Sequence, residues 1–177
     1  MKKILLGVSA SIAAYRACDL ITDLKKLGFA VQVTMTKDAH QFVTALTLES
    51  LSGQKVVDHF FSVEGRSKPV HIDLADSSDL ILVAPASADI IAKLSHGLAD
   101  DVLTCAALAS RAPLVIVPAM NEKMLSHPFT QENLKRLEKN GAVTVPPIKG
   151  HLVCSVEGMG HIAENKTILD TIKKILK

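Results

Sequence analysis

Five short, nearly unbroken apolar runs, each separated from the next by a stretch of helical periodicity, constrain this chain more than any other feature. They are Ile4 to Val8, Ala30 to Met35, Leu80 to Ala84, Leu114 to Val117 and Ala142 to Val145. Gln32, Thr34 and Thr144 are the only polar side chains in them, and a continuous apolar run such as Ile4 to Val8 is a strand covered on both faces, an environment that a parallel sheet between two helical layers provides. The first helical stretch places Ala13, Ala17, Leu20, Ile21, Leu24 and Leu27 on one face, with Lys25 and Lys26 in the last turn and Gly28 as its stop. Phe42, Ala45 and Leu48 mark a second helix, Ile90, Ile91 and Leu94 a third, and Asp100 to Ser110 a fourth. Leu134 and Leu137 lie on a fifth, closed by Asn140-Gly141. After a long connection comes a last helix carrying Ile168, Leu169, Ile172, Ile175 and Leu176, with Thr167 and Asp170 spaced as a capping box. The expectation is a doubly wound α/β fold, a three-layer αβα arrangement of Rossmann or flavodoxin type. No repeat, linker or low-complexity tract divides the 177 residues, so one domain is expected over 1–177.

Composition narrows the partners. Hydrophobic residues make up 48% and charged residues 21%, which excludes a disordered chain. The net charge is +2 with no basic run, which gives no footing for nucleic acid. Aromatic residues are 3%, with five Phe, one Tyr and no Trp, so the apolar surplus is aliphatic and suits buried strands or a subunit interface. Cys18, Cys105 and Cys154 form no C-x-x-C pair and leave an odd count, so neither a disulfide framework nor a metal site is expected and a reducing cytoplasm fits. No apolar run approaches the roughly 20 residues that span a bilayer. The Lys2-Lys3 start imitates a signal peptide, but its apolar stretch is short and Arg16 and Asp19 follow within a helical pattern.

In such sheets the ligand sits beyond the carboxyl ends of the strands, where strand order reverses. The loops of interest are therefore Gly7 to Ile12, Thr36 to Asp38, Ala84 to Asp89, Pro118 to Met124 and Pro146 to His161. The first opens a helix without G-x-G-x-x-G, so it suits a monophosphate better than a pyrophosphate. A serine there is as often a plain N-cap. Thr36 and Ser87 bring further hydroxyls to the same edge, and together these loops favour a bound mononucleotide. Asn121 offers an uncharged amide at the ligand edge, able to hold a carboxylate. His71, one of seven histidines, and Cys154, in a glycine-bearing loop, are the remaining reactive candidates, whereas Cys18 and Cys105 fall in helical patterns and read as core. Ser62 to Pro69 is the expected mobile loop. H-E-x-x-H, P-loop and G-x-S-x-G motifs are absent from the sequence.

Five segments together resemble the flavin-containing cysteine decarboxylases, and specifically their coenzyme A branch. They are Ser9-Ala10-Ser11-Ile12-Ala13-Ala14, His71-Ile72-Asp73-Leu74, Ala84-Pro85-Ala86-Ser87-Ala88-Asp89, Pro118-Ala119-Met120-Asn121-x-x-Met124, and Pro146-Pro147-Ile148-Lys149-x-x-Leu152-x-Cys154. The last matches the family's substrate-recognition clamp, expected over 146–161. The resemblance implies FMN as cofactor, held by Ser9, Ala10, Ser11, Ile12, Thr36, Ser87, Ala88, Asp89 and Ala119. It implies decarboxylation of 4′-phosphopantothenoylcysteine: thiol oxidation to a thioaldehyde, loss of CO2 and reduction of the enethiol to give 4′-phosphopantetheine. His71 would be the acid/base residue, Asn121 the carboxylate holder and Cys154 the proton donor of the reductive half. Asn121, Met124, Leu152, Val153 and Cys154 would contact substrate. Family members are homo-oligomers, trimers or dodecamers of trimers with flavin between subunits, so His71 is expected to serve a neighbour's site. The resemblance also implies a phosphopantothenate–cysteine ligase as partner, either on a separate chain or fused to the decarboxylase as in many bacteria.

Three positions depart from the family pattern. Ser155 stands for a glycine after the cysteine, Leu125 for a tryptophan, and Asp89 for an asparagine that meets the flavin edge. A peptidyl-cysteine decarboxylase of the lantibiotic-maturing type performs only the oxidative step and has no need of Cys154. A non-catalytic FMN-binding regulator need not keep both His71 and Asn121. Flavin prenyltransferases share the architecture but lack the asparagine motif and the clamp.

Overall fold

The computed structural model describes residues 1–61, 68–151 and 157–177. Most of the Ser62 to Pro69 loop and three candidate site residues, Leu152, Val153 and Cys154, lie outside the described residues.

Five parallel strands form the central sheet: β1 (Lys3–Val8), β2 (Ala30–Met35), β3 (Leu80–Ala86), β4 (Leu114–Pro118) and β5 (Val143–Thr144). Their order is β2-β1-β3-β4-β5, the flavodoxin order, whose reversal point lies between β1 and β3. Side chains of β1 alternate between the two faces, and both are covered. Ile4, Leu6 and Val8 join the core under α1 (Arg16–Lys26) and the carboxy-terminal helix, while Leu5 joins the core under the helices of the opposite layer. All four are fully buried, and each contributes roughly 1.5–3 kcal/mol of apolar transfer. The opposite layer holds α3 (Val70–Ser77), α4 (Ala88–His96), α5 (Val102–Ala109) and α7 (Pro128–Lys139). Gly7 faces this layer, and a Cβ there would stand 2.5 Å from a Leu103 methyl, so the missing side chain lets α5 lie against the strand.

The strand and helix series matches the sequence pattern, with β2 running over Ala30–Met35 as expected. Other elements differ. Phe42 ends a 3-10 turn (Lys37–Gln41), and α2 begins only at Ala45 (Ala45–Ser52), because Thr44 caps it through the Thr47 N–H. The fifth strand is only two residues long. The last helix, α8 (Asn165–Ile175), starts before the Thr167–Asp170 pair, so that capping box is not used. Thr167 lies inside the helix, where its carbonyl accepts the Thr171 hydroxyl at 2.9 Å. The start of α8 is fixed instead by Arg16, whose guanidinium is 3.6 Å from Glu164 and 3.4 Å from Asn165 Oδ1. Cys18 and Cys105 are half-buried, at the rim of the core rather than inside it. Helices α3 and α6 (Glu122–Ser126) and an antiparallel hairpin of β6 (Ile148–His151) and β7 (Glu157–His161) complete the fold. Among the described residues no helix is long and apolar enough to cross a membrane.

Candidate functional site

A cavity of about 570 Å³ opens at the carboxyl edge of β1, β3 and β4, at the topological reversal point. The loop after β1 contributes Ala10, Ser11, Ile12, Ala13 and Tyr15 to its wall, and the loop after β3 contributes Ser87 and Ala88. The loop after β4 adds Ala119, Met120, Asn121 and Met124, and β7 closes the wall with Gly160, His161 and the following Ile162. Eight residues predicted for cofactor or substrate thus meet in one cavity: Ala10, Ser11, Ile12, Ser87, Ala88, Ala119, Asn121 and Met124. A second cavity of about 520 Å³, reaching Leu114 and Ala142 near the starts of β4 and β5, contains none of the predicted residues.

Hydrogen bonds hold the three strand-end loops in register. Ser9 is buried, and its hydroxyl donates to the Pro85 carbonyl at 2.8 Å while accepting the Ser87 N–H at 2.9 Å. Its hydroxyl is therefore engaged within the protein and joins the β1 loop to the β3 loop. Ser11 caps the first turn through the Ala13 N–H and donates to the Ala119 carbonyl at 3.2 Å, which adds the β4 loop. Ser87 caps α4 by accepting from the Ile90 N–H, which leaves its own proton for a ligand. Asn121 caps α6 by accepting the Lys123 N–H on Oδ1 at 2.9 Å. That bond fixes the amide orientation and makes Nδ2 the donor end, as carboxylate binding requires.

The hairpin docks on this frame through backbone. Met120 N–H donates to the Gly160 carbonyl at 3.1 Å, and Met159 N–H donates to Glu122 Oε1 at 3.3 Å. Gly160 has φ +133°, and any Cβ on it would overlap the Met120 carbonyl.

Four predicted residues lie off the cavity wall. Besides Ser9, Thr36 precedes the turn after β2 without a side-chain cap bond, its N–H donating to the Val8 carbonyl at 3.0 Å and its carbonyl accepting the Ala39 N–H at 3.0 Å. Asp89 is exposed and pairs with Lys93 at 3.5 Å, so its carboxylate does not line the cavity. His71, on the first turn of α3, packs edge-on against Phe60 with ring centroids 5.8 Å apart. Its Nδ1 is buried and has no hydrogen-bond partner among the described residues, a rare state for a buried polar atom. Conversely, sequence reasoning missed Ala13, Tyr15, Met120, Gly160, His161 and Ile162 as wall residues. Ala13 and Met120 sat inside quoted motifs, and Gly160 and His161 inside the expected 146–161 clamp, whereas Tyr15 and Ile162 carry no local signal. Among the described residues no group of His, Cys, Asp and Glu is arranged to hold a metal ion.

This fold and cavity define a flavoprotein, and the chain belongs to the Flavoprotein family, whose model matches residues 1–177. It is 44% identical over 177 residues to a Streptococcus mutans protein called probable phosphopantothenoylcysteine decarboxylase, covering 99% of both chains. It is also 44% identical over 163 residues to the coenzyme A biosynthesis bifunctional protein CoaBC of Vibrio vulnificus, covering 92% of this chain but 41% of that one. The chain therefore spans about two fifths of such bifunctional relatives. Among solved structures, a cysteine-to-serine mutant of PPC decarboxylase complexed with pantothenoylaminoethenethiol superposes with a TM-score of 0.88 at 30% identity, covering 98% of this chain and 97% of that one. The FMN-dependent cysteine decarboxylase SpaF superposes with a TM-score of 0.89 at 29% identity, covering 99% and 95%.

Proposed function

We propose that this chain is an FMN-dependent decarboxylase that converts 4′-phosphopantothenoylcysteine to 4′-phosphopantetheine. The observation that carries this reading is the cavity at the β1/β3 reversal point, with Asn121 and Ser87 on its wall. The full-length similarity to the Streptococcus mutans protein supports the same substrate.

The cavity suits a flavin on its own terms. Its volume falls within the roughly 300–1,000 Å³ of small-molecule sites. Ile12, Ala13, Met120 and Ile162 give apolar surface for a ring system, and Ser87 retains a hydroxyl proton. Ala10, Ser11, Ala88 and Ala119 complete the proposed cradle, with Ser9 bracing it and Thr36 and Asp89 at its margin. Loss of CO2 from a cysteine carboxyl needs an electron sink, and bound FMN would supply it by taking electrons from the thiol-bearing carbon and returning them to the enethiol. Asn121 Nδ2 would donate to the substrate carboxylate and orient it, with Met124 beside it. Cys154, carried with Leu152 and Val153 on the clamp, would protonate the product in the reductive half.

His71 would act as acid/base in the cavity of a neighbouring copy. Its absence from the cavity wall, its unpartnered Nδ1 and the fully exposed Phe61 next to its ring partner Phe60 support this placement. The working assembly would then be a homo-oligomer, a trimer or a dodecamer of trimers, in the cytoplasm. A phosphopantothenate–cysteine ligase would supply the substrate. Flavin titration tests the reading: the protein should bind FMN near one per chain with a yellow flavin spectrum, and folded protein that cannot be loaded with FMN would overturn it.

A further inference from the structure

One side chain on the cavity wall stands apart chemically. Among the described wall residues, His161 is the only one able to carry a positive charge, and Tyr15 is the only other that titrates. The cation adjacent to Tyr15 in sequence, Arg16, is directed to Glu164 and Asn165. The ring of His161 is held in place. Its Nδ1 lies 3.0 Å from the Ile162 carbonyl, and because a carbonyl only accepts, Nδ1 carries the proton. Nε2 is then the nitrogen without a partner among the described residues. The ring is further seated by Gly150 on β6, where a Cβ would stand 3.0 Å from the His161 side chain. A positioned imidazole with one uncommitted nitrogen, in a wall whose other polar side chains (Ser11, Tyr15, Ser87 and Asn121) are uncharged, is a site for an oxyanion: protonated at Nε2, it gives a charge-assisted hydrogen bond.

We propose that His161 is the cationic contact of this cavity and binds the phosphomonoester of a ligand. This rests on the flavin decarboxylase reading above, which supplies two sources of that group: the phosphate of FMN and the phosphate of the pantothenoyl substrate. The role is specificity for phosphorylated ligands.

The test compares wild type with His161→Gln and His161→Arg in two paired measurements. In the first, FMN and riboflavin are titrated into flavin-free protein by fluorescence quenching. In the second, KM is measured on flavin-loaded protein for phosphopantothenoylcysteine and for its dephosphorylated form. His161→Gln is expected to weaken the phosphorylated member of one pair by about tenfold or more, leave the unphosphorylated member within twofold, and recover preference in His161→Arg. Loss confined to the first pair assigns the flavin phosphate, and loss confined to the second assigns the substrate phosphate. Equal weakening of both members of each pair would make His161 a packing residue and overturn the proposal, as would no change in either pair. Wild-type protein that binds neither flavin would overturn the parent reading together with this one, a failure visible without any variant.

Discussion

Gly160 lies so close to the Met120 carbonyl that no other amino acid fits between them, and its own carbonyl accepts the Met120 N–H at 3.1 Å. This contact seats the β6–β7 hairpin on the β4 loop and closes the cavity. Gly160→Ala combines a left-handed backbone with a backbone clash, so stability should fall by about 2–3 kcal/mol. The melting midpoint should drop by roughly 4–12 °C and flavin affinity should fall with it. A melting curve within 2 °C of wild type would contradict the role given to this contact.

Ser9 joins two strand ends with one hydroxyl. In Ser9→Ala the Ser87 N–H loses its partner, at about 1–3 kcal/mol, while the Pro85 carbonyl still accepts the N–H of residue 9 at 3.3 Å. Urea denaturation should show a lower midpoint with an unchanged slope. Because Ser9 does not reach the cavity, the flavin that binds should keep its wild-type spectrum.

Gly7 and Leu103 form a testable pair across the sheet–helix boundary. Gly7→Ala should destabilise by about 1–3 kcal/mol through overpacking. Combining it with Leu103→Ala should recover part of that loss, a coupling of about 1 kcal/mol in a double-mutant cycle. Strict additivity would show that α5 is free to move away from β1.

Asn121→Asp separates binding from folding. Aspartate is as good an N-cap as asparagine, so α6 and the melting midpoint should be retained. A second carboxylate facing the substrate carboxylate should lower kcat/KM by about a hundredfold or more, with FMN still bound. Retained activity would remove Asn121 from the carboxylate site. Cys154→Ser, by contrast, should release CO2 while forming reduced product about a hundredfold more slowly.

The acid limb of stability has one identifiable contributor. The Asp79 carboxylate accepts the Lys3 N–H at 2.7 Å, and this bond, aided by the Lys2 charge against some desolvation, lowers its pKa from 3.8. A lowered folded-state value gives stability that is present above the unfolded value and lost as pH falls below about 4 through the folded one. The side chain is 36% exposed, so the effect is small, under about 1 kcal/mol. Asp79→Asn should show a shallower loss of stability below pH 4 than wild type, measured by urea midpoints across the range.

The alternation of buried strand and amphipathic helix was legible because both faces of the sheet are covered: Ile4, Leu5 and Leu6 are apolar whichever way they point. The loops after β1, β3 and β4 followed from the strand-end rule. Legibility failed where local pattern is weak or outweighed. Helix α3 is short and follows Lys68-Pro69, so His71 appeared as a motif residue without an element to carry it. The Thr167–Asp170 spacing lost to the ties that Arg16 makes at Glu164 and Asn165. His161 and Tyr15 reach the wall through a hairpin register and a turn, and neither is encoded in residue spacing.

The most direct measurement incubates the FMN-loaded protein with 4′-phosphopantothenoylcysteine and determines the product mass. The account predicts loss of CO2 alone, the mass of 4′-phosphopantetheine. Loss of CO2 together with two hydrogens would mean that the enethiol is released and the reductive half is missing. Unchanged substrate in the presence of bound flavin would contradict the decarboxylase assignment itself.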